Sequence, residues 1–200
     1  MDARLPALAL VAFALGGLGC GDDEEPAASR STATSPASAP GVPGGVAAQY
    51  RQIEEEVGAE GGETRAGAWR IAYIVEPAEG WFERRRGALH WRAPAAAETH
   101  HIEILPIEAK TGRLVPDVPI TVAVSDSSGR QVARKRLSFY YAELFHYAAN
   151  FAIPRAGRYT LKAEIAAPDF RRHGEERDAP PLANGANVEF DGVELKPERG

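Results

Sequence analysis

From residue 64 to the end of the chain, apolar and polar residues alternate in short runs, and this period of two constrains the fold more than any other feature. The runs are AWRIAYIVEP at 68–77, ALHWR at 88–92, HIEILPIEA at 101–109 and PITVAVSD at 119–126. QVARKRLSFYY at 131–141, HYAANFAI at 146–153, RYTLKAEIAAP at 158–168 and NVEFDGVELK at 187–196 follow. Val, Ile, Tyr and Phe suit a pleated, half-buried surface. Ser127-Ser128-Gly129 predicts a turn that makes 119–126 and 131–141 a hairpin, and Pro154-Arg155-Ala156-Gly157 predicts a second hairpin of 146–153 with 158–168. About eight strands at this spacing predict an all-β domain over residues 64–200, an immunoglobulin-like β-sandwich. The single cysteine excludes the inter-sheet disulfide of antibody domains. Residues 46–63 differ, because Val46, Tyr50, Ile53 and Val57 recur at helical spacing before a glycine-rich stretch. That segment predicts a short helix and a linker.

Residues 1–19 read as an export signal. The apolar run LPALALVAFALGGL at 5–18 follows Arg4. It is shorter than the roughly 20 residues of a membrane span and has the length of a signal-peptide apolar region. Gly19 and Cys20 come next, followed by Asp22-Asp23-Glu24-Glu25, into which no buried helix would continue. Small residues before a lone cysteine at the end of such a run resemble a bacterial lipoprotein signal. The resemblance implies that Cys20 is lipidated, becomes the mature N-terminus and anchors the protein to a membrane facing the periplasm or cell surface. Residues 20–45, dominated by Ala, Ser, Pro and Gly, bury too little apolar surface to offset the entropy of ordering. They predict a disordered tether spanning roughly 25–30 Å.

Charge and composition exclude several functions. One cysteine cannot build a Cys₄ or Cys₂His₂ zinc module, and Met1 as the only methionine cannot build a methionine-rich copper site. The formal charge of −5 lies mostly before the domain, with −3 over residues 21–45 and −4 over 46–63, leaving +2 for the remainder. A nearly neutral domain is no general nucleic-acid binder. The chain also has no glycine-rich phosphate loop and no nucleophile elbow. Nothing in it builds a catalytic constellation, and a non-enzymatic role is expected.

The histidines carry the chemistry. In Thr99-His100-His101-Ile102-Glu103-Ile104, alternation puts Ile102 and Ile104 on one face and His101 with Glu103 on the other. His100 points with the isoleucines. A histidine and a carboxylate two apart on a strand can reach one ion, and their chemistry suits Fe, Zn, Cu or Mn rather than Ca or Mg. By itself the pair also reads as a solvated strand face. His146 begins a strand after a turn holding Glu143, and His173 lies in the charged loop PDFRRHGEE. Without the fold, the first reads equally as a strand-end residue and the second as an exposed loop residue.

From His101 to about Phe190 the chain resembles the periplasmic iron-transport proteins, small immunoglobulin-like metal-binding proteins of bacteria. The resemblance rests on His101-Ile102-Glu103, Ser127-Ser128-Gly129, His146-Tyr147-Ala148-Ala149-Asn150, Gly157-Arg158-Tyr159, and Pro168 ahead of Arg172-His173, in that order. It implies a metal site of His101, Glu103, His146 and His173, delivery of the ion to a membrane permease, and in some members a homodimer. The family commonly adds a methionine from the turn before the second histidine. Here that turn is Phe139-Tyr140-Tyr141-Ala142-Glu143-Leu144-Phe145. Loss of the thioether argues against Cu(I) and leaves iron, Cu(II) or zinc, with Glu143 as a further candidate ligand.

Other residues admit a second function. Trp69 and Trp91 sit in strand runs and are expected in the core. Trp81, in a Pro- and Gly-bounded loop, is expected to be exposed, beside the basic Arg84-Arg85-Arg86. His90 alternates against Leu89 and Trp91 and is expected in solvent, while one of Tyr140 and Tyr141 faces inward. A patch of Trp81 and the arginines would suit a surface module recognising a protein or glycan without a metal.

Overall fold

The structure, a computed structural model, describes residues 41–196. The expected signal at 1–19, Cys20 and most of the tether lie outside these residues. Residues 42–196 form one compact unit. Its elements are α1 (Gly44–Glu60), β1 (Gly61–Ala66), β2 (Trp69–Pro77), β3 (Trp81–Arg85), β4 (Ala88–Arg92) and β5 (His100–Glu108), then β6 (Ile120–Ser125), β7 (Gln131–Arg136), β8 (Ser138–Tyr141), β9 (Phe145–Phe151), β10 (Gly157–Ile165) and β11 (Ala186–Leu195). Two antiparallel sheets of order β1-β2-β5-β9-β8 and β11-β10-β6-β7 form the expected sandwich, and β3-β4 makes a separate two-stranded sheet. No helix among the described residues is long and apolar enough to cross a membrane.

The alternation fills the space between the sheets. Trp69, Ile71, Ile102, Ile104, Val122, Val124, Phe151 and Leu161 pack there, each almost fully buried. Every such aliphatic side chain contributes about 1.5–3 kcal/mol. Tyr159 sits in the same core and donates from its hydroxyl to the carbonyl of Arg155 at 2.9 Å, pinning the turn before β10 in the manner of a tyrosine corner.

A second apolar cluster lies on the outer face of the five-stranded sheet. Ile53 of α1 packs with Ala72, Ile74, Leu105, Ile107 and Leu144, flanked by Tyr50 and Val57. This explains why β5 is buried at eight successive positions. Its even-numbered residues face the other sheet. Of its odd-numbered residues, Leu105 and Ile107 pack against α1, and His101 lies against the rings of Trp81 from β3 and Tyr140 from β8.

The structure departs from the sequence reading where strands change sheets. The predicted hairpin of 146–153 with 158–168 does not form: β9 pairs with β5 and β8, whereas β10 pairs with β6 and β11. The Pro154–Gly157 turn is a crossover between sheets, which alternation within each run cannot reveal. The run 131–141 divides at buried Leu137 into β7 in one sheet and β8 in the other. Residues 61–66 form an edge strand despite Gly61 and Gly62. A Cβ on Gly61 would stand 1.9 Å from the Tyr73 carbonyl oxygen, so this close pairing requires glycine. Trp91, expected in the core, is 59% exposed because its hairpin stands outside the sandwich.

Candidate metal centre

The outer face of β5 and β9 assembles the site. In the antiparallel register His101 is opposite Asn150 and Glu103 opposite Ala148, with His146 one alternation further along β9. Alternate residues share a face, so all five side chains project the same way. The ligand atoms of His101, Glu103 and His146 lie within 4.8 Å of one another. Glu103 Oε1 is 3.5 Å from His146 Nε2 and 3.9 Å from His101 Nε2. Donors about 2.1 Å from a shared ion stand about 3–3.5 Å apart, so small side-chain rotations close the site.

All three side chains are buried, with exposures of 1%, 4% and 6% for His101, Glu103 and His146. Yet His101 Nε2, Glu103 Oε2 and both His146 ring nitrogens have no hydrogen-bond partner. Buried polar atoms are normally satisfied, and one left bare costs about 1–3 kcal/mol. One bare ligand atom from each of the three side chains, within 4.8 Å of one another, fits a coordinated cation.

Surrounding groups fix the orientation of the cluster. Asn150 accepts from His101 Nδ1 at 2.7 Å, and its amide nitrogen donates to the Glu79 carbonyl at 2.7 Å and to Glu98 at 3.2 Å. The His101 proton therefore sits on Nδ1 and the Nε2 lone pair faces the cluster, as a metal-binding histidine requires. Arg92 donates to Glu98 at 2.7 Å and lies over the Trp81 ring at 4.1 Å. Tyr140 stacks on His146 with centroids 5.3 Å apart and planes 4° off parallel. An open cavity of about 670 Å³ reaches His101 and His146 between β3 and β8.

Burial sets the charges. It pushes the Glu103 carboxyl up to about 9, reinforced by the negative charges of Glu76, Glu56 and Glu79. It lowers His146 to about 4, with the neighbouring His101 adding to the effect, and lowers His101 against the opposing effect of its hydrogen bond to Asn150. Glu76, cross-strand from His101, rises to about 7 through burial and repulsion from Glu79, Glu56 and Glu60. At neutral pH the metal-free cluster holds a protonated carboxyl and two neutral imidazoles. A dication reverses the first preference and agrees with the second.

The structure therefore brings together three of the four residues from the sequence reading. His173 is exposed in the loop between β10 and β11, beside Glu108 at the far end of β5. His101 is the second residue of that strand, so the separation along it is about 20 Å. Glu143 is exposed and stands outside the cluster. Trp81, expected in solvent, is half-buried over His101, with centroids 6.5 Å apart. Of the paired tyrosines, Tyr140 turns to the site and Tyr141 is 84% exposed. The supporting role of Asn150 went unread, although its even spacing from His146 carries that signal.

The pattern of the Fe2+ transport protein family matches residues 53–192. No curated protein matches the chain. Among solved structures, a copper-bound variant of Campylobacter jejuni P19 aligns with a TM-score of 0.52 and 21% identity, covering 67% of this chain and 96% of that one. A copper-bound variant of FetP from uropathogenic Escherichia coli strain F11 aligns at 0.55 with 15% identity, covering 70% and 92%. Copper-reconstituted P19 from Campylobacter jejuni aligns at 0.53 with 21% identity, covering 68% and 96%. These likenesses carry the sandwich fold. With the family pattern running from Ile53 to Gly192, through every strand that bears the cluster, the chain belongs to the Fe2+ transport protein family.

Proposed function

We propose that this protein is an exported, non-enzymatic carrier that binds a transition-metal ion at His101, Glu103 and His146 and passes it to a membrane transporter. The observation that carries the reading is the convergence of bare, buried imidazole and carboxylate atoms within 4.8 Å. Two imidazoles and one carboxylate suit Fe(II), Cu(II) or Zn(II). Iron agrees with the family, and copper with the solved P19 and FetP structures. The residues around the cluster hold the two rings and exclude water, while the cavity between β3 and β8 gives the ion access. Release follows protonation of Glu103 and the imidazoles. Cys20 supplies the lipid anchor and residues 20–45 the tether, which places the domain in the periplasm or at the cell surface. His173 reaches such a site only from a second copy of the chain, as in a homodimer.

Titrating residues 42–200 with Fe(II) under anaerobic conditions, and with Cu(II), Zn(II) and Mn(II), tests the binding site. One ion per chain is expected, with at least about 100-fold weaker affinity in His101→Ala and His146→Ala. Parental affinity in the double variant overturns the ligand assignment. His173→Ala is expected to leave binding to the monomer unchanged. A loss confined to a dimeric form assigns His173 to the second copy's site.

A further inference from the structure

The β3–β4 hairpin stands outside both large sheets and has two unlike faces. Trp81 and Arg92 are opposite one another and turn toward the cluster. Phe82 is opposite Trp91 and Arg84 opposite Leu89, so these four share the other face. Phe82, Leu89 and Trp91 are 67%, 59% and 59% exposed, and the Phe82 and Trp91 rings touch at 5.1 Å. The strands join through a tight turn with Arg86 at φ 49° and Gly87 at φ 86°. Asn, Asp or Gly would take the first of these positions with less strain. An arginine stands there instead, the third of the consecutive Arg84, Arg85 and Arg86.

Residues 81–92 carry four arginines and one glutamate, a local charge of +3 in a chain of net −5. Arg92 is paired with Glu98 and Arg85 with Glu83. Arg84 donates only to the Gly87 carbonyl, and neither it nor Arg86 meets a carboxylate among the described residues. An exposed Trp, Phe and Leu face ending in unpaired arginines matches the boundary between lipid headgroups and acyl chains. Aromatic rings settle there, and each basic side chain gains from anionic headgroups. The face lies on a ribbon outside both large sheets.

We propose that the β3–β4 hairpin docks on an anionic phospholipid surface, with Phe82, Leu89 and Trp91 entering the interface and Arg84 and Arg86 binding headgroup phosphates. Phe82 and Trp91 also line the cavity that reaches His101 and His146. The proposal requires neither a bound metal nor the Cys20 anchor.

Residues 42–196 contain both apolar clusters and form a compact unit, so the chain from Val42 to Gly200 serves for the test without the lipid anchor. The domain is sedimented with phosphatidylglycerol–phosphatidylcholine vesicles and with pure phosphatidylcholine vesicles, at low and high salt. Binding to the anionic vesicles, weakened by salt, is expected. Arg84→Gln with Arg86→Gln should lower partitioning about 25-fold, at about fivefold per arginine. Leu89→Ser should lower it about tenfold. Unchanged circular dichroism and metal affinity show that these variants fold. Equal binding to neutral and anionic vesicles, or parental binding by the arginine variant, overturns the proposal. So does a concentration-dependent dimer that Leu89→Ser disperses, because the face then serves a second copy.

Discussion

Glu103 is a carboxyl without a protein cation, and its environment opposes its ionisation. The group holds its proton to about 9 in the fold, against an ordinary value of 4.5. Between these values the folded state binds the proton more tightly than the unfolded state, so the stability of the metal-free protein falls as pH rises. His146 acts in the opposite sense over a lower range. Its folded value of about 4 lies below the ordinary 6.5, so stability rises with pH between them. Above about pH 6.5 the Glu103 effect prevails, with Glu76 adding to it up to about 7. Glu103→Gln should therefore stabilise the metal-free protein at pH 8 by about 1–3 kcal/mol, the scale of one unpaired buried group. The same variant should weaken metal binding. Urea unfolding at pH 5 and pH 8 checks the first effect, and an equal change at both pH values would refute the charge argument. Asn150→Ala removes the acceptor that sets the His101 tautomer. It should weaken metal affinity about 10–100-fold while all three ligands remain, as read by competition with a chromophoric chelator.

Among the elements, α1 stabilises the face on which the site is built. Its Ile53 is 2% exposed against Ile74, Leu105 and Ile107, directly along β5 from Glu103. Ile53→Ala should cost about 2–5 kcal/mol in chemical denaturation. Metal affinity of the folded protein should stay within about threefold, because none of the three proposed ligands resides on α1. Its Glu56 and Glu60 lie close enough to Glu76 to raise that group's pKa, so the helix also supplies negative charge beside the cluster. β3 and β8 close the site from the other side through Trp81 and Tyr140, whose rings meet edge-to-face at 5.4 Å. These are short elements with little core of their own, suited to moving when an ion enters or leaves.

For the whole molecule, the proposed metal binding and protonation compete for one buried pocket. An ion that takes Glu103 as carboxylate displaces its proton at any pH below about 9. Affinity should rise with pH by up to about tenfold per unit through the neutral range. Calorimetric titrations in buffers of different ionisation enthalpy should show about one proton released per ion at pH 7. A pH-independent affinity with no proton release would exclude Glu103 as the ionised ligand. The bound ion should also raise the melting temperature, more strongly at pH 8 than at pH 5, because it binds only the folded arrangement.

The local pattern alone determined the β class, the strand runs from Trp69 onward, the core face at Ile102 and Ile104, and the shared face of His101 and Glu103. Each follows from alternation within one continuous segment, and the ordered motifs from His101 to His173 added the family resemblance. The tertiary structure decided which runs pair. It sent β9 and β10 to different sheets, divided 131–141 at Leu137 and placed Trp91 outside the core. It also decided the fate of the histidines. His146 joins His101 because β9 lies beside β5 in one register, while His173 is carried to the far end of the same strand. That His101 is buried rather than solvated depends on Trp81 of β3 and Tyr140 of β8 covering a face that alternation marks only as polar. Side-chain period is a property of a single strand, whereas a metal site and its burial depend on the contacts between strands distant in sequence.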